Sequence, residues 1–196
     1  MVRLLTPADY RSMPWKNGAG RTTEIAAHPP GAAFDDFAWR VSVAEVDRDG
    51  PFSRFPGVDR TIVLLEGAGM RLRGGIRDAD LTKRFAPHAF SGDEAIDCTL
   101  VDGRIRDFNV MFRRGRARGR VAVVRGEGTE FAPADYRLAY AAAGTHECVM
   151  SGCASLMLAA GHSLLVDRAA DREGLLLAIT PVAAGAVALV VSIDGR

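Results

Sequence analysis

Short apolar runs between turn-forming residues recur along the whole chain, and this spacing restricts its fold more than any other feature. Runs such as TIVLLE, RVAVVRG, RLAYAAA and AVALVVSI are separated by glycine, proline and aspartate at intervals of roughly 8 to 12 residues. Few windows keep the 3.6-residue period of an amphipathic helix over three turns. The pattern therefore predicts an all-β sandwich or barrel with few short helices, and it disfavours alternating strands and helices.

One predicted strand has two chemically different faces. In AWRVSVAEV, Trp39, Val41 and Val43 alternate with Arg40 and Ser42. A period of two sends these two sets to opposite faces of a strand. The alternation predicts one apolar face and one polar face, and it leaves open which of them points into the protein.

The length of 196 residues leaves room for one large domain or two small ones, either with a substantial core. A strand–turn–strand unit with a glycine-rich hairpin, Glu-Gly-Ala-Gly, occurs near residue 65, and a looser version spans residues 149–163. We therefore expect two β-barrel halves, residues 1–108 and 109–196, which meet around residues 103–120 and pack as one unit.

Composition narrows the class of protein. The net charge of +1, with 48% hydrophobic and 25% charged residues, is typical of a soluble globular protein and disfavours disorder or a strongly basic surface. The N-terminus, MVRLLTPADY, lacks the apolar stretch of a signal peptide, and no window reaches the roughly 18 apolar residues of a membrane-spanning helix. We expect a cytoplasmic protein without a membrane partner. An odd number of cysteines fits reduced, buried thiols: Cys98, Cys148 and Cys153.

Metal and nucleophile motifs are weakly represented. The histidines lack the H-x-H or H-x-x-x-H spacing of a compact metal site: His28, His88, His146 and His162. The segment THECVMSGC groups His146, Glu147, Cys148 and Cys153, which could bind zinc on a curved strand, but a convincing fourth ligand to complete the site is missing. The chain has no G-x-S-x-G elbow and no phosphate-binding loop. We predict neither a metal nor a cofactor.

The run RRGRARGR, residues 113–120, holds five arginines in eight positions and is the strongest signal for nucleic acid. No aromatic residues are interleaved to stack on bases, and acidic residues elsewhere cancel the net charge. A solvated connector between the two halves explains the run better, so nucleic acid is not an expected partner.

The stretch RSMPWKNGAGRTTEIAAH and the segments that follow it carry polar groups in or beside predicted strands, where structural positions are usually apolar. Arginine matches a planar carboxylate, asparagine adds hydrogen bonds, and tryptophan supplies an apolar wall. These groups can form a pocket for a small acid. They can equally be structural, with Arg40 and Arg60 in salt bridges to Glu24, Asp47 or Asp59. The pattern alone leaves both interpretations open.

At these residues the chain resembles the HutD/Ves family, bacterial bicupin proteins associated with histidine utilisation. The matching stretches are MPWKNGAGRTTEIA, FAWRVSVAEVDRDGPFSRFPGVDRTIVLLEGAGMRL and FSGDEAIDCTLVDGRIRDFNVMFRR, which cover most of residues 11–114. The resemblance implies two cupin-like β-barrels, of the double-stranded β-helix or jelly-roll type, in one chain. Metal-bound cupins carry histidines where this chain has Ser53, Arg54, Asp59 and Arg60, which argues against metal chemistry.

The resemblance also implies an accessory or regulatory role in histidine degradation, without established catalysis. The ligand we expect is a pathway carboxylate such as N-formylglutamate, bound in the N-terminal barrel, and the chain could also form a homodimer. Arg40 and Arg60 would hold carboxylates, and Glu24 would orient an arginine. The full set of expected ligand-binding residues is Trp15, Asn17, Thr22, Glu24, Arg40, Ser42, Phe55 and Arg60.

The sequence is also compatible with two other functions. The protein could be an isomerase or hydrolase of small organic acids that uses Glu24 or Asp59 as general base. It could instead be an interaction module that contacts a protein or nucleic acid through residues 113–120.

Overall fold

The computed structural model of the chain describes residues 1–15, 17–33, 36–151, 154–167 and 176–195. Within these ranges the protein consists of strands, turns and one short 3-10 helix, Pro7–Asp9. The all-β prediction is therefore confirmed. None of the helices in the described ranges is long and apolar enough to cross a membrane.

The chain divides into two compact units, which do not follow the predicted boundary. The N-terminal unit is Tyr10–Arg118, and the C-terminal unit joins Met1–Asp9 to Gly119–Gly195. The boundary expected at residues 108 and 109 falls inside one continuous strand, Ile105–Arg113. The first residues belong to the C-terminal unit because Val2–Leu5 pairs antiparallel with a strand near residue 165.

The N-terminal unit contains ten strands within its described residues. They are β2 (Arg11–Pro14), β3 (Gly20–His28), β4 (Trp39–Val46), β5 (Gly50–Pro51), β6 (Val58–Glu66), β7 (Met70–Arg73), β8 (Ala79–Leu81), β9 (Pro87–Ser91), β10 (Asp97–Leu100) and β11 (Ile105–Arg113). They form a six-stranded sheet in the order β2-β3-β4-β11-β6-β9 and a four-stranded sheet in the order β5-β10-β7-β8.

The remaining strands build two further sheets. They are β1 (Val2–Leu5), β12 (Ala117–Arg125), β13 (Thr129–Phe131), β14 (Tyr136–Ala143), β15 (His146–Met150), β16 (Leu156–Leu158), β17 (Ser163–Asp167), β18 (Leu177–Pro181) and β19 (Val187–Gly195). One sheet has the order β1-β17-β14-β19-β12 and the other β13-β18-β15-β16.

Each unit has its own apolar core. In the N-terminal unit, buried side chains of both sheets form one cluster that includes Ile62, Leu64, Met70 and Ile105. In the C-terminal unit, a second cluster collects alanine, leucine and valine side chains from its two sheets. Burying these side chains contributes about 1.5–3 kcal/mol for each large aliphatic residue. Two sheets that pack face to face over such a core are the arrangement of a jelly roll.

The Glu-Gly-Ala-Gly turn does not close a hairpin, contrary to the prediction. It connects β6, in the six-stranded sheet, to β7, in the four-stranded sheet. Gly69 has a φ of 119°, and a Cβ there would lie 2.4 Å from the Leu81 carbonyl oxygen. Glycine is required because only it tolerates both the positive φ and this close approach. The turn therefore takes the chain from one sheet to the other.

Candidate functional site

A cavity of about 550 Å³ opens in the N-terminal unit. Its walls combine aromatic, apolar and polar side chains, a composition typical of small-molecule sites. The lining residues are Met13, Pro14, Trp15, Asn17, Thr22, Arg40, Ser42, Ala44, Val46, Pro51, Phe52, Ser53, Phe55, Arg60, Asp107, Asn109 and Met111.

Strand register brings the polar lining residues together on one face of the six-stranded sheet. Arg40 on β4 lies opposite Met111 on β11, and Met111 lies opposite Arg60 on β6. Two residues along, Ser42 lies opposite Asn109. Because side chains alternate between the faces of a strand, these residues share one face. The polar face of β4, which the sequence could not orient, is the face that lines the cavity.

Arg60 lies in an aromatic cage. Its guanidinium carbon is 5.4 Å from the ring centre of Phe52, 5.3 Å from that of Phe55 and 4.8 Å from that of Phe90. One guanidinium nitrogen, Nη1, donates to the Ser53 carbonyl oxygen at 3.3 Å, whereas the buried Nε has no hydrogen-bond partner. The aromatic faces stabilise the cation and fix its plane.

Burial also changes the acidity of Arg60. The residue is only 6% exposed, and this desolvation lowers its pKa to about 10, while the charge of Asp107 acts in the opposite direction. A pKa of about 10 leaves the guanidinium charged at neutral pH. The cavity therefore presents a buried cation with an unused donor.

Arg40 is held differently. Its Nε donates to the Glu24 Oε2 at 2.7 Å, and both side chains are largely buried. Burial lowers the pKa of Arg40, and the Glu24 charge opposes that shift. Glu24 is not part of the cavity wall; it supports Arg40 from the neighbouring strand β3. A β-bulge at Ile25 interrupts the β3–β4 register directly beside this pair.

The turn between β2 and β3 forms one edge of the cavity. The Trp15 Nε1 donates to the Thr22 Oγ1 at 2.7 Å, which holds the indole against the wall. The Asn17 Oδ1 accepts from the Ala19 backbone N–H at 3.0 Å. A Cβ on Gly20 would lie 2.2 Å from the Glu45 carbonyl oxygen, so the close approach of the two strands requires glycine. Lys16, also part of this motif, lies outside the described residues.

Asp107 and Asn109 belong to the cavity wall, and the sequence analysis did not identify them. Asp107 is 1% exposed, and burial raises the pKa of its carboxyl to about 7 although the Arg60 charge acts to lower it. The Oδ1 of each residue is buried without a hydrogen-bond partner. The segment RDFNVMF carries the signal that could have revealed them, because Asp107, Asn109 and Met111 alternate with apolar residues as in β4.

Most of the expected ligand-binding residues therefore meet at one place. Seven of the eight line the cavity, namely Trp15, Asn17, Thr22, Arg40, Ser42, Phe55 and Arg60. Asp59, the alternative general base, does not line it. Asp59 pairs with the Arg114 Nε at 2.7 Å, and its side chain is 62% exposed because it points to the face opposite Arg60.

No group of three or more potential metal ligands occurs among the residues that the structure describes. His146 and Cys148 are both buried in the C-terminal unit, and Cys153 lies outside the described residues. Burial raises the pKa of the Cys98 thiol to about 12 and that of Cys148 to about 11. Both thiols are therefore protonated at neutral pH and behave as small apolar side chains.

The arginine-rich run makes local contacts within the N-terminal unit. Arg113 stacks on Phe37, with its guanidinium carbon 5.1 Å from the ring centre. Arg114 bonds both Asp59 and Asp93, and Arg116 bonds Asp36 at 2.8 Å. These arginines thus have acidic or aromatic partners close by.

A family model and two sequence relatives relate the chain to HutD and Ves proteins. The family model HutD matches residues 7–186. A 21.2 kDa protein in the hutC 3′ region of Pseudomonas putida is 38% identical over 151 residues, covering 77% of this chain and 79% of that protein. Protein Ves of Citrobacter koseri is 44% identical over 119 residues, covering 59% of this chain and 61% of that protein.

Solved structures show the same relationship. HutD from Pseudomonas fluorescens SBW25 is 33% identical over the full length of both chains, with a TM-score of 0.83. A variant of the Bacillus subtilis oxalate decarboxylase is 7% identical, with a TM-score of 0.65 over 98% of this chain and 77% of that one, and so shares the fold alone. This likeness and the paired sheets of each unit confirm the bicupin fold. The HutD family model matches residues 7–186, which is almost the whole length of this chain. The chain therefore belongs to the HutD family.

Proposed function

We propose that the protein binds a small carboxylate in the cavity of the N-terminal unit and serves as an accessory or regulatory protein of histidine utilisation. The observation that supports this most directly is the buried Arg60 guanidinium, whose Nε has no hydrogen-bond partner. Arg60 forms no direct ion pair among the described residues, and desolvating such a cation costs several kcal/mol. A ligand carboxylate would provide both the missing charge and the missing acceptor.

The cavity wall suits an acid with further polar groups. Ser42 and the amide nitrogen of Asn17 can hydrogen-bond a ligand, since the Asn17 Oδ1 is already used by the backbone. Trp15 and Phe55 add apolar surface to the cavity wall. N-formylglutamate, with two carboxylates and a formamide, matches this combination better than an aliphatic monoacid does.

The names of two relatives support the choice of acids to test. The Pseudomonas putida relative is a protein in the hutC 3′ region, and the structure of HutD from Pseudomonas fluorescens SBW25 was obtained in a formate condition. Formate is the smallest carboxylate and therefore a minimal probe for an arginine site. Urocanate and formiminoglutamate are further acids of histidine breakdown that carry both a carboxylate and a nitrogen group.

Isothermal titration of the full chain at about 100 μM would detect dissociation constants near 0.1 mM. We expect heat with N-formylglutamate, and a loss of at least about tenfold in affinity for Arg60→Met, which removes a charged hydrogen bond. Arg113→Met is the matched control, because Arg113 also stacks on a phenylalanine but lies outside the cavity.

Two results would contradict the proposal. The first is the absence of heat with every acid named above. The second is an Arg60→Met variant that is folded, by its circular dichroism spectrum, and binds N-formylglutamate as tightly as the Arg113→Met control.

A further inference from the structure

The carboxyl group of Asp107 is buried in the same cavity wall as Arg60, and binding of a carboxylate to Arg60 does not by itself explain why a second carboxyl group lies there. Its Oδ1 lacks a hydrogen-bond partner, and the residue is 1% exposed. Asp107 lies on β11, between Ala44 of β4 and Leu64 of β6. An ionised carboxylate in such surroundings is costly unless a cation compensates it.

The charged groups around Asp107 can be assigned strand by strand. On β6, Arg60 is the group whose charge acts on it. On β4, Arg40 lines the same cavity, but Glu24 of β3 already neutralises it. On β10, Cys98 interacts with the Asp107 charge but remains a neutral thiol. Among the described residues of the cavity, Arg60 is therefore the cation available to compensate Asp107.

The net charge of the site depends on whether Asp107 is ionised. With Asp107 ionised, the negative charges of Glu24 and Asp107 balance the positive charges of Arg40 and Arg60, so a bound carboxylate would add an uncompensated negative charge. With Asp107 protonated, the site carries one positive charge, which matches one ligand carboxylate. In a buried site, where charges interact strongly, this difference decides which state accepts an anion.

We infer that the cavity takes up a carboxylate together with one proton, and that Asp107 is the group that accepts this proton. The inference rests on the proposed carboxylate-binding function and adds the condition that Asp107 is protonated when the ligand is bound. Protonated Asp107 can also donate a hydrogen bond to the ligand, which the ionised form cannot do. The raised pKa of Asp107, about 7 without ligand, supports this, because little energy is then needed to add the proton near neutral pH.

Linkage gives the direction of the pH dependence. A ligand carboxylate at Arg60 raises the pKa of Asp107 further, so binding and proton uptake favour each other. Because the free carboxyl titrates near pH 7, affinity for formate or N-formylglutamate should be about tenfold weaker at about pH 8 than at about pH 6.

Phosphate would itself compete for an arginine site, so the test is calorimetric titration of the full chain with formate and with N-formylglutamate in HEPES and in Tris buffer. These buffers have different ionisation enthalpies, so proton uptake makes the observed heats differ between them at one pH. We expect up to about one proton per ligand above pH 7. In Asp107→Asn, which stays neutral, affinity at about pH 8 should match that of the wild type at about pH 6. Asp59→Asn, an exposed aspartate outside the cavity, should keep the wild-type pH dependence.

The outcomes separate this inference from the proposed function. Binding with equal heats in both buffers and equal affinity at both pH values would overturn the inference and leave carboxylate binding intact. Absence of binding for both probes at every pH would remove the proposed function and the inference together. The buffer comparison uses the wild-type protein, so it tests proton uptake even where Asp107→Asn fails to fold, and equal heats would still overturn the inference.

Discussion

Glu24 and Arg40 form an ion pair beside the cavity, with 2.7 Å between Oε2 and Nε and side-chain exposures of 14% and 4%. The pair joins neighbouring strands of the six-stranded sheet and holds Arg40 in one position. Arg60 forms no direct salt bridge among the described residues; it is held by aromatic rings, and the buried Asp107 acts on it as a nearby charge. The two arginines of the cavity therefore differ, because Arg40 has a direct ion-pair partner whereas the compensation of Arg60 depends on whether Asp107 is ionised.

Removing one member of this pair should destabilise the fold. Glu24→Ala leaves the buried Arg40 without its carboxylate, so we expect a loss of about 3–5 kcal/mol in the free energy of unfolding. Urea unfolding followed by circular dichroism measures it. The double variant Glu24→Ala, Arg40→Met should recover part of the loss, because it removes the buried positive charge as well. Equal stability of Glu24→Ala and wild type would show that the pair contributes nothing.

Asp107 should make the protein less stable as pH rises. Its pKa is raised from 3.8 to about 7 in the folded protein by burial. Between these values the folded state binds more protons than the unfolded state, so stability falls from about pH 4 to about pH 7 and then stays level. Asp107→Asn should remove this decline, worth a few kcal/mol at most. Urea midpoints measured across this range check it, and an unchanged slope in the variant would contradict the assignment.

His146 should lower the stability of the folded protein at acidic pH. It is fully buried on β15, its ring nitrogens have no hydrogen-bond partner, and burial lowers its pKa below 6.5. The unfolded state therefore binds the proton more readily, and stability is lost as pH falls below about 6.5. His146→Leu should reduce this loss and be neutral or stabilising at pH 7, because it removes unsatisfied polar atoms.

Thermal unfolding at about pH 5 and about pH 7 measures the effect of His146→Leu. His162→Gln is a suitable control, since His162 is partly exposed and its Nδ1 lies 3.2 Å from the Ala160 carbonyl oxygen. A strongly destabilised His146→Leu variant at pH 7 would mean that the imidazole has a partner in solution.

The turn between β6 and β7 should tolerate no side chain at Gly69. Gly69→Ala places a Cβ against the Leu81 carbonyl oxygen at 2.4 Å in addition to the strain of a φ of 119°. We expect a loss of roughly 2–4 kcal/mol in unfolding free energy, beyond the 1–2 kcal/mol of left-handed strain alone. Gly103→Ala measures the milder strain of the ordinary left-handed region without a steric contact, because its φ is 61° and no atom lies within 4 Å of the added Cβ. Similar losses in both variants would argue against the steric contact.

The local alternation of polar and apolar residues was sufficient to predict several features from the sequence. It predicted strands, and in β4 it placed Arg40 and Ser42 together on one face. The same period in β11 contained Asp107 and Asn109, but an isolated Asp in a strand gave no indication of its partner. Such patterns depend only on neighbours along the chain, so they can be read without the fold.

Only the tertiary structure decided which charged residues meet in the cavity wall and to which unit each strand belongs. Both features depend on pairing between strands that are distant in sequence. Cross-strand register put Arg60 and Asp107 in one wall and turned Asp59 toward the surface, beside Arg114. It also assigned Met1–Asp9 to the C-terminal unit through the pairing of β1 with β17. A shift of one residue in register would reverse every one of these side chains, and no local pattern fixes that register. The sequence determined the strands and their two faces; the sheets determined which charges meet.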